Sequence, residues 1–169
     1  MEAKEVLLRS LAQSRGYLTG ALHGLTQKEA TWAPAPESNS IIFILWHVTR
    51  VEDFFFNRVV QRLPELYEAE GWGEKLGTPE KGTGWEYTLE QLRAWPVPQL
   101  ADVEGYFHSV RKKTLDFINS LTAEKLSEIP RPERSSDSVG VTLTRIVTEI
   151  ALHVGQIAYL RGAQRGLNK

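Results

Sequence analysis

Cysteine occurs nowhere in the 169 residues. Its absence removes disulfides, thiolate metal sites and a cysteine nucleophile together, and it fits a reducing compartment. Long apolar runs are missing as well. Nowhere do about 18 apolar residues stand together, so no membrane span is expected. The opening stretch MEAKEVLLRSLAQ is amphipathic and lacks the continuous apolar segment of a secretory signal. Lys and Arg form no cluster and the net charge is only −1, which takes away the electrostatic footprint of a nucleic-acid binder. No stretch alternates apolar with polar residues as a half-buried strand would. What is left, at 41% hydrophobic and 24% charged residues, is the composition of an ordinary globular chain. The expectation is one cytoplasmic, soluble, all-α domain over residues 1–169.

Four long segments carry helical periodicity. The first runs from about Ala3 to His23, with Leu7, Leu11, Leu18 and Leu22 near one face, and ends by Gly24. Thr26 and Glu29 then have capping-box spacing for a short helix, and the prolines of APAPESNS enforce a loop. The second long helix begins at Ser38 or Ser40 and reaches about Leu63, just before Pro64. Residues 64–98 hold the compositional break, with GWGEKLGTPEKGTGW rich in Gly and Trp. Inside that break Thr88 and Gln91 predict a capped short helix, TLEQLRAW, that stops at Pro96. The third long helix runs from about Pro98 to Leu121. After the Pro/Ser-rich connector LTAEKLSEIPRPERSSD, the last runs from about Val139 to Gly162 or Ala163. Together they predict an antiparallel four-helix bundle, with any cofactor site between facing helices. The Gly/Trp-rich connection exceeds the usual helix–helix link of about 2–8 residues, which suits either a site mouth or a folded surface excursion.

Two helices carry polar residues where apolar ones belong. In TEIALHVGQIAYLRG, residues 148–162, Leu143, Ile146, Ile150, Ile157 and Leu160 continue as one stripe, and His153 falls inside it. Glu149 and Gln156 lie along its edge, and Gly155 would admit close approach of a helix or ligand. On the second long helix, Thr49, Arg50, Asp53 and Asn57 mark a wet side opposite Ile44, Val48, Val51 and Phe55. His47 flanks the dry side. The third helix supplies an internal control: Glu104 and His108 are also four apart, but His108 projects away from the stripe of Leu100, Val103, Phe107, Val110 and Phe117. That pair reads as an exposed contact worth only a few tenths of a kcal/mol.

A buried, unpaired carboxylate costs several kcal/mol, a large share of a small domain's net stability. A divalent cation held by Glu149, His153 and His47 would offset that cost. Two imidazoles and one carboxylate also leave a coordination position open, the catalytic rather than the structural pattern. The other reading keeps Glu149 and His153 as a buried hydrogen-bonded pair, with His47 bonded to a carbonyl. His23 reads as a dipole partner at the end of the first helix. Arg161 and Arg165 read as solvated, as does Arg50, which stands one turn beyond His47 and within reach of an anionic ligand.

LTQKEATWAPAPESNSIIFILWHV followed by EIALHVGQIAYLRG, in this order and spacing, resembles the DinB-like, or YfiT-like, superfamily of four-helix-bundle metalloenzymes. The first stretch resembles that family's short turn, proline loop and second helix with its histidine. The second resembles its ligand pair, Gly-Gln and Leu-Arg-Gly ending. The resemblance implies three metal ligands, which fall on His47, Glu149 and His153. Many members carry histidine where this chain has Glu149. A His/Glu/His set is similar to that of the mycothiol-dependent maleylpyruvate isomerases, which have a further C-terminal domain, so their substrate is not carried over. Zinc is the first choice of metal, with nickel or iron(II) as alternatives. The activity implied is thiol-dependent transfer or isomerisation of a small electrophilic substrate, with a low-molecular-weight thiol held as thiolate. Gln156 and Arg50 are candidates to orient the ligands. Metal-assisted hydrolysis is the alternative, and no buried acid outside the ligand set is evident to act as its base. A non-catalytic metal- or ligand-binding dimer, or a stress-associated interaction module, is the third reading. Homodimers are expected from the resemblance.

Overall fold

The computed structural model describes residues 2–166. Helix α1 spans Ala3–Leu22 and buries Leu11 and Leu18, with Leu7 and Leu22 partly covered. Thr26 closes a full capping box with Glu29 at the start of α2, Gln27–Ala30. Ser40 caps α3, Ile41–Asp53, by accepting from the Phe43 amide. The chain continues without a break into a π-helical stretch, Phe54–Gln61, which ends where Arg62 turns left-handed at φ 58°. Three short helices follow: α4 (Leu66–Ala69), α5 (Trp72–Leu76) and α6 (Leu89–Ala94). Thr88 and Gln91 form the second capping box, at the head of α6. Then come α7 (Leu100–Asn119), α8 (Ala123–Ser127) and α9 (Val139–Arg165), the last capped by Ser138. Among the described residues there is no strand, and no helix is long and apolar enough to cross a membrane.

The four long helices close into a bundle in which α1 and α3 each pack against both α7 and α9. Directions follow from side-chain partners. His47 lies against His153, while Phe54, Phe55 and Arg58 share a cavity with Arg145 and Ile146, so α3 and α9 run antiparallel. Arg161, near the end of α9, donates to the Ala21 carbonyl near the end of α1, and these two helices share a direction. Along α3 and α7, the Glu52–Arg111 pair is followed by the Phe56–Phe117 contact, so they too run the same way. The long connection explains this. Residues 64–98 carry the chain back along the bundle before α7 begins, whereas the links on either side of it reverse direction.

That return path covers the second long helix. Every residue of Ile41–Asp53 is buried, including Thr49, Arg50, Glu52 and Asp53, and Asn57 is buried beyond them. The expected wet side is therefore a second interior face. Asp53 shows how it is satisfied: its carboxylate accepts from the Leu66 and Tyr67 amides at 2.9 and 2.8 Å, the Tyr106 hydroxyl at 2.7 Å and the Asn57 amide at 2.7 Å. One buried acid thus ties α3 to α4 and α7.

Candidate metal centre

On α9 the predicted stripe is observed, with Leu143, Ile146, Ile150, Ile157 and Leu160 all buried. His153 sits within it, its side chain 15% exposed, and Glu149 beside it at 29%. Across the interface α3 presents His47, which is buried. The two imidazole rings meet edge to face with centroids 4.8 Å apart. One ligating atom from each of His47, Glu149 and His153 lies within 4.8 Å of the others. Glu104 and His108 behave as the control requires, since His108 projects to the exposed side of α7.

The hydrogen bonds decide which atoms face the centre. His47 donates from Nδ1 to the Thr83 carbonyl at 2.6 Å, which leaves Nε2 as a lone-pair donor. Burial pushes the His47 pKa below the ordinary imidazole value, with His153 reinforcing that and Thr83 and Glu149 opposing it, so the ligating neutral form is favoured. His153 contacts Gln156 Oε1 through Nδ1 at 2.8 Å and Glu149 Oε1 through Nε2 at 3.1 Å. A neutral imidazole has only one N–H, so it cannot donate to both oxygens. A proton or a metal cation between Nε2 and the carboxylate would satisfy both atoms. Both contacts of a purely structural arrangement are therefore present, a His47–carbonyl bond and a Glu149–His153 pair; the first leaves His47 Nε2 free for a metal, and the second is the contact that a metal would replace.

Donors sharing one zinc ion at about 2.0–2.2 Å would stand roughly 3.3–3.6 Å apart, so a separation of 4.8 Å would have to close by about 1.2–1.5 Å. The donor set, two nitrogens and one carboxylate oxygen, suits zinc and also nickel or iron(II).

A strap from the long connection holds His47 in place. Gly82 and Gly84 both adopt positive φ, +86° and +87°, and Thr83 lies between them. A Cβ on Gly84 would stand 2.8 Å from Trp46 Cζ3 and 3.0 Å from Phe43 Cζ, so only glycine lets the backbone lie this close. Arg50 is buried rather than solvated. It donates to Glu65 at 2.7 Å and to the Gly82 carbonyl at 3.2 and 3.3 Å, and stacks on Tyr67 at 3.6 Å. Its guanidinium fastens the strap. Gln156 is exposed and touches His153. A Cβ added at Gly155 would meet nothing within 4 Å, and the residue lines the α1–α9 groove rather than the site. Arg161 and Arg165 are likewise engaged, with the Ala21 carbonyl and Glu29 respectively, and His23 is the exposed C-cap residue of α1.

Beside the centre lies a cavity of about 720 Å³, lined by Glu149, Thr83, Arg50 and the π-helical Phe54, Phe55 and Arg58 among others. Sequence reading missed Thr83, Gly84 and the two phenylalanines. Two glycines flanking a threonine were the available signal for the strap. Buried acids also exist beyond the ligand set, but each is occupied: Glu52 by Arg111, Asp53 by its four donors, and Glu65 between Arg50 and Arg58 at 2.7 Å each.

No curated protein matches the chain. A crystal structure from Enterococcus faecalis, described as a conserved protein of locus, superposes with a TM-score of 0.84 over 96% of both chains at 21% identity, a likeness of fold alone. The model of the DinB superfamily matches residues 10–157, which takes in α3 with His47 and α9 with Glu149 and His153. With the bundle, its return path and the facing histidines already in view, this match over most of the chain places the protein in the DinB superfamily.

Proposed function

We infer that the protein is a divalent-metal-dependent transferase or isomerase that uses a small external thiol against a small electrophilic substrate. His47, Glu149 and His153 are the metal ligands of this reading, zinc is the ion, and the working form is a cytoplasmic homodimer. The observation that carries it is the convergence of three ligating atoms within 4.8 Å beside a cavity that reaches Glu149. A bound divalent ion would supply Lewis acidity and stabilise a thiolate at neutral pH. The protein's own part is positional. Thr83 fixes the tautomer and plane of His47, Gln156 orients His153, and Arg50 holds the strap rather than an anionic ligand. The groove between α1 and α9, lined by Gly20, Ala151, Ala158 and Gly162, is the surface that suits a second copy.

Hydrolysis is the weaker reading, because the one buried acid on the cavity wall, Glu65, is held between two arginines with each of its oxygens engaged by a guanidinium. Elemental analysis of untagged protein, beside a His47→Ala variant, tests the centre. Near-stoichiometric metal that is lost in the variant supports it, and metal retained in the variant removes His47 from the ligand set. Turnover that survives complete removal of small thiols would exclude the thiol-dependent chemistry. A non-catalytic role follows if Glu149→Ala and His153→Ala fold, lose metal and leave every cellular phenotype intact.

A further inference from the structure

The cavity beside the centre has a character of its own. At about 720 Å³ it falls in the range of small-molecule sites. Its apolar wall is built from Val51, Phe54, Phe55, Ile146 and Trp85. Four basic side chains and four acidic ones also reach it, equal in number, and all three arginines are held by carboxylates. Arg50 and Arg58 both pair with Glu65, Arg58 also pairs with Glu68, and Arg145 pairs with Asp137 at 3.0 Å. The arginines that sequence pattern would offer to an anion are therefore already occupied by protein carboxylates. Trp85, which also lines the cavity, is 64% exposed, a large apolar surface held against water.

From these features we propose that the cavity takes an uncharged, predominantly apolar molecule of aromatic size, inserted between Phe54, Phe55 and Trp85 with its polar reactive end toward Glu149. This names the substrate class for the metal-dependent reading and rests on it for the orientation of the molecule. An anionic body would have to displace the carboxylates that hold Arg50, Arg58 and Arg145, or rely on the exposed Lys81 alone, and a charge buried without a close partner is expensive. An apolar body displaces water from aromatic surface at no such cost.

The test uses two fluorescent probes that differ by one sulfonate, neutral N-phenyl-1-naphthylamine and anionic 1-anilinonaphthalene-8-sulfonate. Both are titrated into full-length protein stripped of metal by chelation, and again into zinc-loaded protein. The neutral probe is expected to bind about tenfold or more tightly than the sulfonate in both states. Phe54→Ala and Trp85→Ala, checked for folding by circular dichroism, are each expected to weaken the neutral probe by about fivefold. Equal or tighter binding of the sulfonate overturns the proposal. So does failure of the neutral probe to bind, or indifference to both substitutions. Elemental analysis separates this outcome from the fate of the metal. Neutral-probe binding that responds to Phe54→Ala in a protein that holds no metal sustains the apolar site while removing the metal reading. Stoichiometric metal without probe binding does the reverse.

Discussion

His47 Nδ1 donates to the carbonyl of Thr83 at 2.6 Å, and the two residues come from segments 36 positions apart. The bond places a loop from the return path in direct control of a histidine on α3. An outer partner of this kind sets the ring plane and raises the basicity of the ligating nitrogen. Gly84→Ala attacks the bond without touching either residue, since the new methyl collides with Trp46 and Phe43 at a backbone φ of +87°. The strap must lift, and His47 loses its acceptor. Zinc affinity, measured by competition with a chromophoric chelator, is expected to fall by about 10–100-fold while the helical circular dichroism is retained. Unchanged affinity would show that the strap is dispensable to the centre.

The paired carboxylate–histidine motifs on α7 and α9 provide a matched comparison. Glu149 and His153 face His47 from the interior stripe, whereas His108 projects into solvent from α7. His153→Ala and Glu149→Gln are each expected to reduce bound metal in purified protein to a small fraction of the native amount. His108→Ala is expected to leave it unchanged. Metal loss in the His108 variant to the same degree would place the ion elsewhere.

That contrast was legible in the sequence because burial on α9 and α7 follows the period of a single amphipathic helix. The same reasoning failed on α3. Thr49, Arg50, Asp53 and Asn57 have the spacing of a solvated face, yet all four are buried. Periodicity reports how polar a face is, not whether a later segment covers it. Here the cover is the return path, and the polar residues are its anchors: Asp53 binds the start of α4 and Arg50 binds the strap. The helix directions were hidden for the same reason. A long connection reads as excess length until it is seen to carry the chain back along the bundle.

Burial of charge on α3 also predicts where the protein is brittle. Arg111 reaches from α7 to Glu52 with two hydrogen bonds of 2.8 and 2.7 Å, and both side chains are almost completely enclosed. Arg111→Met leaves Glu52 buried without a counter-charge, at an expected cost of about 3–5 kcal/mol in urea unfolding. The double variant Glu52→Leu with Arg111→Met removes both charges and should recover most of that loss. A double variant as unstable as the single one would show that packing, not the orphaned carboxylate, dominates.

Acid stability isolates the clamp between α2 and α9. Arg165 binds both carboxylate oxygens of Glu29, at 2.6 and 2.7 Å, while the Thr26 amide and hydroxyl donate to the same group. Arg165 first, and Thr26 after it, hold the Glu29 carboxyl well below its ordinary value of 4.5. A carboxyl depressed in the folded state contributes stability that is fully present above its unfolded value and is lost as pH falls below it. Native protein should therefore melt above Glu29→Gln at neutral pH. The gap should stay constant down to about pH 4.5 and then narrow steadily as the unfolded chain takes up the proton first. Thermal melts of the two proteins between pH 7 and 2 measure this directly. A gap that is constant across the whole range would mean that the glutamine disturbs packing of α2 and that the charge of Glu29 contributes nothing.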